Sequence, residues 1–221
     1  MALGLLLTAQ AMALPAIEFG GLAGFNAAYM PWRQVDGLDH DHQRICFNGG
    51  VYLYHPFNRD WGVRAELLYM EKGTMATGFF SLPDTVLGLT LDHTYSTDLA
   101  LAYVEIPVTL QAWLGPGERR PVSLFFGAYV NRLLSARMEY WHTVKPDVGY
   151  ADETGSLGRS AFNASAFGLI IGGTVTIERF EVVARYDRDM SPATDRTFTG
   201  INALLTPKSR VLSFSLGYLF P

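Results

Sequence analysis

From Ile17 onward the chain alternates, one residue apolar and often aromatic, the next small, polar or charged, which is the period of a β-strand with two unlike faces. Residues 17–30 place Ile17, Phe19, Ala23, Phe25, Ala27 and Tyr29 on one face and Glu18, Gly20, Gly24 and Asn26 on the other. A second segment, 44–55, sets Ile45, Phe47, Val51 and Leu53 against Asn48, Gly50, Tyr52 and Tyr54. The third sets Trp61, Val63, Ala65, Leu67 and Tyr69 against Gly62, Arg64, Glu66 and Lys72. The fourth, 95–114, groups Val104, Ile106, Val108 and Leu110 opposite Tyr103, Glu105, Thr109 and Gln111, and the fifth, 122–140, opposes Leu124, Phe126 and Val130 to Ser123, Tyr129 and Asn131. The sixth, 162–177, carries Phe167, Leu169, Ile171 and Val175. The seventh opposes Phe180, Val182, Ala184 and Tyr186 to Glu181, Arg185 and Asp187, and the eighth, 210–220, ends the chain with Leu212, Phe214, Leu216, Tyr218 and Phe220.

The connections alternate in length. Residues 31–43, 75–94, 141–161 and 190–209 are long, whereas 56–60, 115–121 and 178–179 are short. Outer-membrane barrels join their strands by short periplasmic turns and longer outer loops, and a closed ring is the one sheet whose backbone groups are all satisfied in hydrocarbon. The pattern therefore predicts an all-β, eight-stranded antiparallel up-and-down transmembrane β-barrel over residues 17–221. A soluble lipocalin-like barrel has the same period with the faces exchanged. The polar set separates the two: it is rich in Gly, Ser, Thr and Asn, holds few Lys, and carries both signs of charge in Glu18, Arg64, Glu66, Glu105, Glu181, Arg185 and Asp187. Such residues can pair in a narrow lumen. Trp61, Phe180, Tyr218 and Phe220 are expected at the periplasmic rim, and Tyr29, Tyr69 and Tyr186 higher on the wall.

Composition adds limits. Hydrophobic residues make up 49% of the 221 and aromatics 13%, yet after residue 16 no apolar run is long enough for a membrane helix. The net charge of −4 and the lack of a basic run beyond Arg119-Arg120 argue against a nucleic-acid partner. Cys46 is alone and forms no internal disulfide. Residues 1–16 resemble the end of a secretory signal peptide, with small-residue cleavage sites at Ala9-Gln10-Ala11 and Ala11-Met12-Ala13. The Lys or Arg usual before the apolar run is missing, which leaves a start placed too late or a buried N-terminal helix as alternatives.

The search for chemistry finds little. Asp39-His40-Asp41-His42 has metal-like composition in the first outer loop, Asp92-His93 an acid and base side by side in the second, and Ser135, Glu139 and His142 the residue types of a lipid hydrolase. Strand phase places Ser135, Arg137 and Glu139 inward, away from lipid, and no phosphate loop, nucleophile elbow or cysteine-pair motif appears. No catalytic residue, metal or cofactor is assigned. Eight strands leave an interior that side chains fill, so the charged set is expected to close the lumen. Tyr140, Trp141, Asp147 and Tyr150 are candidate contacts in the third outer loop.

Five motifs in order, Ala65-Glu66-Leu67-Leu68-Tyr69-Met70-Glu71-Lys72-Gly73, Tyr103-Val104-Glu105-Ile106-Pro107-Val108, Gly127 to Ala136, Phe167 to Gly173 and Ala184-Arg185-Tyr186-Asp187, resemble the outer-membrane β-barrel domain family, the PorT-family or porin-family small barrels. The resemblance covers nearly the whole chain and implies a bacterial outer-membrane barrel. The last segment also looks like the C-terminal signal read by the barrel assembly machinery, with its aromatic displaced one place by Pro221. Expected partners are outer-membrane lipid, that machinery, and an extracellular ligand or protein met by the long loops. A structural or surface-binding role leads, with a small-solute channel and a lipid-modifying enzyme as alternatives.

Overall fold

The computed structural model describes residues 17–30, 40–84, 88–115, 121–145, 153–194 and 208–221. Its strands are β1 (Glu18–Tyr29), β2 (His40–Pro56), β3 (Trp61–Asp84), β4 (Leu89–Leu114), β5 (Val122–Lys145), β6 (Glu153–Gly158), β7 (Ser165–Ile177), β8 (Phe180–Asp189) and β9 (Arg210–Leu219). Each pairs antiparallel with its neighbours in the order β4-β3-β2-β1-β9-β8-β7-β5, and β4 with β5 closes the ring at eight strands. The short β6 lies outside that ring and pairs only with the upper part of β5. No helix among the described residues is long and apolar enough to cross a membrane. The expected signal segment, residues 1–16, lies outside the described residues.

The alternation resolves as an apolar wall around a polar lumen. Phe25, Ile45, Leu53, Phe126, Ile171, Ile177 and Leu216 are exposed on the outside, while Tyr52, Glu105, Gln111, Ser123 and Asp187 are almost fully buried inside. The β9 strand, 10 residues long, runs about 33 Å along its axis, which at a tilt of about 45° gives about 23 Å of height, close to the apolar band of an outer-membrane barrel. The rings of Phe19 and Phe220 (5.4 Å between centroids) and of Phe180 and Tyr218 (5.3 Å) cluster at the periplasmic rim.

Local chemistry sets the short turns. Asn58 Oδ1 accepts from the backbone N–H of Asp60 (2.8 Å) and Trp61 (2.9 Å), an Asx turn between β2 and β3. Between β7 and β8 the two-residue turn holds Glu178 at φ 56°, the left-handed conformation that matches strand twist in tight hairpins.

Three expectations change. The segment 75–94, read as an outer loop, is mostly strand: the β3–β4 ladder continues through Thr77↔Ser96 and Leu82↔Leu91 to Asp84↔Leu89. The strand β5 likewise runs on to Lys145, and β6 lies within 141–161. Above the membrane neither face of a sheet meets lipid, so the apolar phase that marks a wall strand fades while backbone pairing does not. The sixth segment begins at Ser165 and not at 162, because Arg159–Ala161 form one 3-10 turn and Phe162 after it packs inward.

Candidate functional site: a filled lumen and a protruding sheet

The lumen is packed at three levels. Near the periplasmic end Trp113 Nε1 donates to Tyr54 Oη (2.7 Å), and these rings close over Leu22, Tyr52, Leu68 and Met70. The rings need matching gaps in the wall: a Cβ on Gly20 would overlap the Tyr52 ring, and one on Gly168 the Tyr129 ring.

The middle level is ionic. Arg64 Nε lies 2.6 Å from Glu66 Oε1 and Arg64 Nη1 2.9 Å from Glu181 Oε2, with the guanidinium carbon 3.6 Å above the Tyr52 ring centre. Arg185 reaches Glu66 (2.9 Å), Glu105 (3.3 Å) and Asp187 (3.2 Å). Lys72 Nζ joins Glu105 Oε2 (2.9 Å) to Asp189 Oδ1 (3.2 Å) and lies 4.7 Å from the Tyr129 ring centre, while Tyr129 Oη donates to Asp189. The structure thus brings together six of the seven charged residues that alternation singled out. Glu18, exposed at the start of β1, forms no ion pair among the described residues.

Lys72, on the polar face of its strand by alternation, and Asp189 also belong to the cluster, although neither is among the seven. Both keep the inward parity of their strands, Lys72 after Arg64 and Glu66, Asp189 after Glu181, Arg185 and Asp187. The available signal was that parity carried one step further.

The upper level is apolar. Met30, Leu99, Leu101, Tyr103, Leu133 and Met138 on the inner wall pack against Ala161, Phe162 and Ala193, which two infolded segments bring over the mouth. Asn163 N–H donates to Ala193 O (2.8 Å) and Thr194 Oγ1 to Ala161 O (2.8 Å), tying those segments together.

Above this plug the extended parts of β3, β4 and β5, with β6, form a sheet that stands clear of the wall. The ten residues from Met75 to Asp84 correspond to about 33 Å of strand. Tyr95 and His142 stack at 4.0 Å between centroids and 4°, His93 follows at 5.3 Å and 12°, and the two imidazoles meet at 3.0 Å between His93 Nδ1 and His142 Nε2.

Tyr140 and Trp141, expected in a loop, instead lie in β5 opposite Thr97 and Ser96. Tyr140 is half-buried with its ring over Gly155, and Trp141 is exposed. Asp147 and Tyr150 lie outside the described residues.

The inward placement of Ser135, Arg137 and Glu139 is overturned. Ala102 pairs with Ser135 and Tyr103 with Leu133, so Leu134 is left over as a bulge and the faces of β5 exchange above it. Ser135 and Arg137 are consequently exposed on the outer face and Glu139 lies with them, while His142 joins the imidazole stack. Ser135, Glu139 and His142 are therefore not brought together. Asp92 accepts from Ser81 Oγ (2.6 Å), whereas His93 turns to His142. Among the described residues no group of three or more His, Cys, Asp and Glu is placed to hold a metal ion. Asp39 lies outside them, as do the side chains of His40 and Asp41.

A family model for the outer membrane protein beta-barrel domain matches residues 9–194. No curated protein matches the chain. Among solved structures, Ail, the attachment invasion locus protein of Yersinia pestis, is 15% identical over 92% of this chain and 98% of its own, with a TM-score of 0.43. Neisserial surface protein A is 13% identical over 93% of this chain and 99% of its own, TM-score 0.46. OprG from Pseudomonas aeruginosa is 12% identical over 92% and 94%, TM-score 0.38.

Proposed function

The chain belongs to the outer membrane protein β-barrel domain family, and on that premise we propose that it is a non-conducting barrel of the bacterial outer membrane that holds a rigid sheet outside the cell for binding. The observation that carries this reading is the lumen, which is blocked by aromatic packing, an ion network and an apolar plug in turn. A pore has to hold mobile water, and a network in which Arg185 touches three carboxylates fills the middle level with paired side chains, which supports a closed lumen. The stacked Tyr95, His142 and His93 present flat, polar-edged rings of the kind that meet sugars, aromatic groups and protein surfaces.

Planar-bilayer recording with the purified, folded chain distinguishes this reading from the small-solute channel. Insertion without current steps is expected, and reproducible unitary conductance would overturn it.

A further inference from the structure

The lipid-facing wall is apolar from the periplasmic rim up to a sharp limit. On β8 the outward series is Phe180, Val182, Ala184, Tyr186 and then Arg188, and on β9 it is Tyr218, Leu216, Phe214, Leu212 and then Arg210. Arg188 and Arg210 are direct cross-strand partners, and Tyr29 of β1 is opposite Arg210 on its other side. Both arginines are exposed, and neither guanidinium has a hydrogen bond or ion pair with any described residue. Every cation in the lumen, by contrast, has at least two carboxylates.

Two like charges directly opposite on an antiparallel pair destabilise the sheet. A shared anion reverses that sign, and the guanidinium fork suits a phosphate in particular because it donates two parallel hydrogen bonds. The pair sits at the top of the apolar band, where headgroup phosphates of the outer leaflet lie. We propose that Arg188 and Arg210 clamp a phosphate of an outer-leaflet glycolipid, with Tyr29 and Tyr186 flanking it at the boundary between acyl chains and headgroups. This rests on the outer-membrane placement alone and is independent of the binding role given to the protruding sheet.

The test uses the full folded chain in zwitterionic detergent, with bisphosphorylated lipid A, its dephosphorylated form and inorganic phosphate as probes, read by retained lipid in native mass spectrometry and by unfolding temperature. Lipid A is expected to remain bound and to raise the unfolding temperature, with no effect from the dephosphorylated glycolipid. Arg188→Gln and Arg210→Gln are each expected to weaken retention roughly tenfold, the loss of one charge-assisted contact. Without lipid, either variant is expected to be at least as heat-resistant as the parent, since the repulsion is gone. Arg188→Lys/Arg210→Lys, which keeps charge without the fork, is expected to bind more weakly than the parent. Equal retention by the Gln or Lys variants, equal retention of the phosphate-free glycolipid, or equal stabilisation by inorganic phosphate would each overturn the proposal.

Discussion

Arg185 holds Glu66, Glu105 and Asp187 at once, so its removal would leave buried Asp187 without a cation and Glu66 and Glu105 with one each, Arg64 and Lys72. Arg185→Met is expected to cost about 3–5 kcal/mol, the usual penalty for breaking a buried charge group by deleting one partner, and to lower the temperature at which the barrel unfolds in detergent. Asp187→Asn should behave in the opposite way. Arg64, Lys72 and Arg185 serve five carboxylates here, and Asp187 touches only the guanidinium that already holds two others, so removing its charge is expected to leave the unfolding temperature unchanged or raised. Packing gives a further residue-scale outcome: Gly168→Ala places a methyl inside the Tyr129 ring and is expected to cost about 1–3 kcal/mol by overpacking, measured in the same melt. The inward parity of Arg64, Glu66 and Arg185 was legible in the sequence. Which of them meet was not, because contact across the lumen depends on strand height, and height depends on the stagger of the closed ring.

Among the elements, the wall strands follow from alternation, while the bulge at Leu134 and the extension of β3 and β4 do not. One skipped residue exchanges the faces of β5 and moves Ser135, Arg137 and Glu139 outward, and nothing local in Arg132 to Ala136 marks that change. The β7–β8 turn behaves differently, since its two-residue length already implies φ above zero. Glu178 adopts it at a steric cost, so Glu178→Asn is expected to stabilise the hairpin by about 0.5–1 kcal/mol, read as a higher midpoint in denaturant. The protruding sheet should be separable from the wall. Cutting the β3–β4 hairpin back to the Thr77↔Ser96 pair is expected to leave the heat-modifiable folded form on a gel, because the lumen network and the apolar plug lie below it.

For the whole molecule, orientation follows from the asymmetry of the connections, with the turn at Phe57–Asp60 in the periplasm and the sheet of β3 to β6 outside. Trypsin added to intact cells is expected to cut at Arg159 and to spare Arg59; cleavage at Arg59 would reverse the orientation. The sequence by itself determined the class of fold and, up to the bulge at Leu134 in β5, the lipid-facing phase and the wet side of the wall strands, because a hydrocarbon surround imposes a strict two-residue period on each strand separately. Tertiary structure alone decided that the lumen is plugged from above by Ala161, Phe162 and Ala193, which cations and carboxylates of the charge network meet, and that Arg188 stands opposite Arg210. Those features depend on register between strands distant in the chain, and register is set by ring closure, a property that no single segment carries.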